Sequence, residues 1–119
     1  MYKLTLKHHF DAAHYLYDYE GKCANMHGHR WEVLVEISVD KLINDMVIDF
    51  TEIKRIIDKF DHSVVNDHQA FATTSPTAEN IAKYLHSEIL NKIKQTCTLE
   101  VTVWESPNAS VSYNGGTIL

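Results

Sequence analysis

The chain opens on an alternation: Tyr2, Leu4, Leu6, His8 and Phe10 are interleaved with Lys3, Thr5, Lys7 and His9. A period of two predicts a half-buried strand, and Ala12 and His14 keep its parity. Residues 15–26 break the pattern with a polar, tyrosine-rich loop, long for a hairpin, and loops of that length commonly carry function. The alternation returns with Trp31, Val33, Val35, Ile37 and Val39 on one face and Arg30, Glu32, Glu36 and Ser38 on the other. His27 and His29 share the parity of Trp31. Without a bulge, His14, His27 and His29 therefore lie on the apolar faces of two strands paired as a hairpin.

After a turn near Asn44–Asp45 the period lengthens. Asp49 as N-cap with Glu52 three residues later matches a capping box. Ile53, Ile56, Ile57 and Phe60 then give the stripe of an amphipathic helix that stops at Asp61–His62. Residues 63–74 read as irregular. Ser75–Pro76 supplies a cap followed by proline at the first helical position, and Ile81, Leu85, Ile89 and Ile93 carry the longer second helix. Leu99, Val101 and Val103 alternate with Thr98, Glu100, Thr102 and Trp104 in a third strand that ends at Glu105. A short fourth, Ser110–Tyr113, precedes Gly115–Gly116. The order β-β-α-α-β-β predicts an α+β domain, a four-stranded antiparallel sheet with both helices on one face. Such a sheet has two open edges and a bare face, which proteins cover or pair. Self-association edge to edge into a barrel is the expected solution.

Composition narrows the class. A chain of 119 residues builds one core, and residues 1–119 read as a single domain. The formal charge of -5, with no Lys/Arg cluster, argues against nucleic acid as the principal partner. No apolar run reaches membrane-spanning length, and the start alternates instead of forming a signal peptide's apolar block. Cys23 and Cys97 are too few for a disulfide scaffold, so a cytoplasmic protein with reduced thiols is expected.

The candidate chemistry lies in Cys23-Ala24-Asn25-Met26-His27-Gly28-His29. Two histidines one residue apart share a face of an extended backbone. With His14 they form the three-imidazole set of a catalytic zinc, whose fourth position stays open. Cys23, four residues before His27, is within reach of the metal or of whatever the metal holds. As a fourth ligand it would make the site a closed, non-catalytic one. Glu105 continues the parity of the third strand's apolar face, where a carboxylate needs a donor. Asp61–His62 pairs a histidine with a carboxylate that can orient it. His8, His9, His68 and His86 lack such context and read as structural or surface residues, and Cys97 as a small buried one.

Together, His14 after Phe-x-Ala-Ala, Cys23 with His27-Gly28-His29, Val47-Ile48-Asp49-Phe50, Asp61-His62 with Asn66-Asp67, Pro76-Thr77-Ala78-Glu79-Asn80 and Glu105 after a strand resemble the 6-pyruvoyltetrahydropterin synthase and 6-carboxytetrahydropterin synthase family. The resemblance spans nearly the whole chain. It implies the tunnelling fold, with subunits joining sheets into a barrel, as a hexamer of two trimers with active sites between subunits. The gap of three residues between Cys23 and His27 is similar to the 6-carboxytetrahydropterin synthases of the bacterial queuosine pathway. That implies conversion of 7,8-dihydroneopterin triphosphate to 6-carboxy-5,6,7,8-tetrahydropterin, acetaldehyde and triphosphate. The implied roles are zinc on His14, His27 and His29; proton transfer by Cys23, Asp61 and His62, the last two reaching in from a neighbouring subunit; and pterin binding by Glu105, with Thr77 and Glu79 as further contacts. Segment 106–110 departs from the family's pattern and leaves the side-chain preference open. Pyruvoyl-type or sepiapterin-cleaving activity on the same scaffold, and a metal-binding module without turnover, are the other readings.

Overall fold

The alternations flanking the tyrosine-rich loop become one long hairpin. In the computed structural model, which describes residues 1–116, β1 (Tyr2–His14) pairs antiparallel with β2 (His27–Val39) from Tyr2 opposite Val39 to His14 opposite His27. The register does not shift along the way. Leu4, Phe10 and Ala12 of β1 and Trp31, Val33, Val35, Ile37 and Val39 of β2 therefore share the buried face. The chain continues through α1 (Phe50–Asp58), β3 (Ser63–Val64), α2 (Ala78–Leu90), β4 (Thr98–Ser106) and β5 (Ala109–Tyr113). Both helices cover the apolar face of the sheet, and their buried side chains join those of the strands in one core. No helix among the described residues is long and apolar enough to cross a membrane.

The sheet corrects the four-stranded expectation. It has five strands in the order β3-β1-β2-β4-β5. The extra strand lies inside the stretch read as irregular, where Ser63 and Val64 pair parallel with Ala12 and Ala13 on the outer edge of β1. Two residues are too few to show a period, so hydropathy alone could not reveal it.

The first helix starts as expected, with the Asp49 carboxylate accepting the Thr51 N–H at 2.9 Å. The second starts later than Ser75–Pro76 implied. Its cap is Thr77, whose hydroxyl accepts the Asn80 N–H at 3.1 Å. Ser75 is diverted, because its hydroxyl accepts the Tyr17 N–H at 2.8 Å. A bond across 58 residues of sequence thus displaces a good local cap. The helix ends at Leu90, so Ile93 lies beyond it while still packing on the core.

Trp31 and Phe10 stack at the centre of the core, with ring centroids 5.7 Å apart, and Phe60 joins at 5.5 Å from Phe10. Burying a large apolar side chain contributes about 1.5–3 kcal/mol each, so this trio anchors the end of the sheet where the histidines lie.

His86 is a core residue. It is buried under α2, with its Nε2–H donating to the Leu99 carbonyl at 3.2 Å and its ring edge-on to Tyr113. Burial pushes its pKa below the ordinary histidine value, and the Leu99 carbonyl opposes that only partly. The unfolded chain therefore binds a proton here more readily than the fold does. The stabilising difference is fully present above the unfolded value of about 6.5 and is lost as the pH falls through it toward the lower folded value. His86→Gln should be less stable than the parent at pH 7.5, and that gap should narrow by pH 5. Urea unfolding of both proteins at the two pH values checks it; a gap that is constant or widens refutes the assignment.

Candidate metal centre

The hairpin register builds the site. His14 ends β1, His27 begins β2 directly opposite, and His29 follows on the same face. The His14 ring lies 4.5 Å from that of His27 and 5.2 Å from that of His29, and His27 and His29 are 4.8 Å apart. Trp31 is the floor beneath them, edge-on to His14 at 4.7 Å and to His29 at 5.5 Å. Its own indole N–H donates to the Ala12 carbonyl.

Backbone carbonyls set the tautomers. His14 Nδ1 is 2.8 Å from the Pro76 carbonyl oxygen, and His27 Nδ1 is 2.7 Å from that of Asn25. A carbonyl can only accept, so each Nδ1 carries the proton and each Nε2 presents a lone pair. Nε2 of His14 and of His29 are buried with no hydrogen-bond partner. Buried polar atoms almost always find one. Burial also holds the His14 imidazole below its ordinary basicity, which favours the neutral, metal-binding form. Converging, unpartnered imidazole nitrogens fixed by carbonyls behind them are the arrangement that zinc-binding histidines show.

Glu105 joins this group. One ligand atom from each of His14, His27, His29 and Glu105 lies within 4.8 Å of all the others. The carboxylate Oε1 is 3.0 Å from Nε2 of His29, 3.4 Å from that of His14 and 3.9 Å from that of His27. Alternation along β4 places it there, on the face of Leu99, Val101 and Val103, where the β4–β5 register shifts between Trp104 and Ser106.

Cys23 is outside the converging group. It is half-buried in a 3-10 turn, Lys22–Ala24, and its carbonyl accepts the Leu16 N–H at 2.8 Å, tying the far side of the loop to the end of β1. Asp61 and His62 are also outside the group and grip the other edge of β1. Asp61 Oδ1 accepts the Asp11 N–H at 2.9 Å, and the His62 N–H donates to the Asp11 carbonyl at 2.7 Å. The Asp11 N–H, more than the nearby His62, holds the Asp61 carboxyl below its usual pKa. His62 adopts a left-handed backbone, φ 55°, with a side chain 83% exposed and Nε2 3.6 Å from Asp61 Oδ2. With His29, Gly28 and Asp67 it lines a cavity of about 620 Å³, which Cys23 does not border. Thr77 caps α2 beside Pro76, and Glu79 is exposed in the first turn.

Sequence reasoning missed the support behind His14. Asn66 is buried, and its amide pairs both ways with the next residue: Oδ1 accepts the Tyr15 N–H at 3.0 Å and Nδ2 donates to the Tyr15 carbonyl at 2.9 Å. The pair extends the edge of β1 past its last strand partner. Tyr17 adds a hydroxyl donated to the Phe71 carbonyl. Its signals in the sequence were a polar residue directly after Val64 and Val65 and a place in the Asn66-Asp67 motif, and neither gave it a role.

Comparison with known proteins points one way. The family model described as 6-pyruvoyl tetrahydropterin synthase matches residues 3–116. The chain is 33% identical to a 6-carboxy-5,6,7,8-tetrahydropterin synthase of Rickettsia conorii, over 93% of this chain and 99% of that protein. It is 34% identical to a 6-pyruvoyl tetrahydrobiopterin synthase of Drosophila melanogaster, over 94% and 79%. Its fold is similar to that of the Caenorhabditis elegans 6-pyruvoyl tetrahydropterin synthase, with a TM-score of 0.75, 27% identity and 98% of both chains covered.

His27→Ala and His29→Ala should each strip the protein of zinc, while Asn66→Ala, acting through the Tyr15 backbone on His14, should weaken zinc binding about 10–100-fold. Chelator competition on the purified variants measures both. Wild-type affinity in either histidine variant would refute the site as drawn.

Proposed function

This chain belongs to the 6-pyruvoyl tetrahydropterin synthase family, and from that premise we propose that it converts 7,8-dihydroneopterin triphosphate to 6-carboxy-5,6,7,8-tetrahydropterin, with release of acetaldehyde and triphosphate. The observation that carries the reading is the convergence of His14, His27 and His29, the first two with tautomers set for a metal, in a chain whose relatives include 6-carboxytetrahydropterin synthases. Zinc held there would supply a Lewis acid for the hydroxyl oxygens of the substrate side chain.

The chain's own residues do the rest. Cys23, as thiolate, takes and returns protons on the side-chain carbons, and its place outside the ligand group suits a proton-transfer role better than a closed four-ligand site. Asp61 and His62 serve the same relay from a neighbouring subunit, where the outward-pointing His62 imidazole is free to reach. Glu105 accepts from the amino group and ring N–H of the pterin, a planar donor edge that suits a carboxylate. Thr77, whose hydroxyl proton stays available while its oxygen caps α2, and the exposed Glu79 add contacts.

A cytoplasmic hexamer of two trimers, with sheets joined into a barrel, completes the proposal. Supporting it, the face of the sheet away from the helices is uncovered and polar, carrying Lys3, Glu36, Glu100 and Ser112, and Tyr2, Met46 and Phe50 are exposed. The Drosophila relative favours the second reading, a pyruvoyl-type product.

Incubation of the zinc-loaded protein with dihydroneopterin triphosphate decides between them. Carboxypterin with acetaldehyde is the expected result, pyruvoylpterin would establish the second reading, and no turnover would leave a metal module. Cys23→Ala should retain zinc and elute at the same size as the parent, yet turn over about 10²–10⁴-fold more slowly. Loss of zinc in that variant would make Cys23 a ligand instead. Size-exclusion with light scattering should give a multimer of about six chains, and an active monomer would refute the shared barrel.

A further inference from the structure

Glu105 stands against the His14 and His27 imidazoles in a way that hydrogen bonding does not explain. The Nδ1 protons of His14 and His27 are committed to the Pro76 and Asn25 carbonyls, so their Nε2 atoms have no proton to give. Glu105 Oε1 nevertheless lies 3.4 Å and 3.9 Å from them, and 3.0 Å from Nε2 of His29. For His14 and His27, a carboxylate oxygen facing an imidazole lone pair is a contact between acceptors, and a shared cation resolves it. The spacing agrees. With bonds of about 2.0–2.2 Å, neighbouring ligand atoms of a tetrahedral zinc lie about 3.3 Å apart, and the three measured separations bracket that value. In this arrangement Glu105 fills the position that catalysis needs open.

The same side chain has a second environment. It is about one-third exposed, so a ligand arriving from solvent can reach the carboxylate. The β4–β5 register shifts between Trp104 and Ser106, so Glu105 itself has no partner on β5.

We propose that Glu105 is an exchanging ligand: it occupies the fourth metal position in the resting protein and leaves it for the donor edge of an incoming pterin. The inference rests on the pterin reading above. It makes recognition of the ring the trigger that opens the metal. Departure of the carboxylate also removes one negative charge from the ion as the substrate hydroxyls arrive, which strengthens its Lewis acidity when that is wanted. A ligand with hydroxyls but no planar donor edge would leave the position closed.

The test uses cobalt(II) in place of zinc, because its visible absorption reports the ligand set without turnover, and unsubstituted pterin, which has the donor edge but no side-chain hydroxyls. Pterin fluorescence reports binding independently. Wild-type and Glu105→Ala proteins should differ in their resting spectra. Pterin should shift the wild-type spectrum toward that of resting Glu105→Ala, and the variant should lose metal affinity by about tenfold or more. If Glu105→Ala does not fold, Glu105→Gln serves in its place, and the pterin-induced shift is read on the wild type alone. Pterin that binds, by fluorescence, without moving the cobalt spectrum overturns the exchange and leaves the pterin reading intact. Unaltered fluorescence in the wild type removes the pterin reading and the exchange with it.

Discussion

A slip of one residue between β1 and β2 would turn His14 to the opposite face from His27 and His29, because side chains alternate along a strand. Everything the site does depends on that slip not occurring. Two things oppose it. Phe10, fully buried and stacked on Trp31, would have to leave the core, and Leu4 and Ala12 would turn to solvent with it. The far end of the ladder is clamped separately, by the Asn66 amide on Tyr15 and the Pro76 carbonyl on His14. The hydrophobic pattern sets the register, and the polar bonds hold the last residue of β1 in place once the register is set.

That division explains what could be read from the sequence. The strands, the apolar stripes of both helices and the common face of His14, His27 and His29 follow from periodicity, which is a local record of burial. Contacts between distant segments leave no such record. The parallel pairing of Ser63–Val64 is too short for a period, and Ser75 looked like the cap of α2 because its bond to Tyr17 spans a sequence gap no local rule sees. Glu105 was placed on the right face by parity, but its approach to the imidazoles depends on β4 pairing beside β2, which periodicity does not record. Asn66 carried a motif resemblance without a role, since its function lies in pairing with Tyr15 across 51 residues.

The structure also divides the candidate machinery. The metal ligands lie on the helix-covered face at the end of the hairpin, whereas Asp61 and His62 hold the outer edge of β1. A non-glycine residue in left-handed backbone costs about 1–3 kcal/mol and persists only where its surroundings enforce it. Here the His62 N–H on the Asp11 carbonyl and the Asp61 carboxylate on the Asp11 N–H enforce it, and the result is an exposed imidazole at the rim of the cavity that His29 also lines. Asp61 and His62 thus form a fixed pair at the strand edge, and the candidate metal ligands a cluster at the end of the hairpin. In the proposed reaction these separate groups suit two copies of the chain meeting at one substrate. In the proposed assembly, the bare sheet face and the separation of Asp61 and His62 from the candidate metal ligands would be two consequences of one arrangement: a sheet left open for a second subunit would also leave its active site for that subunit to complete.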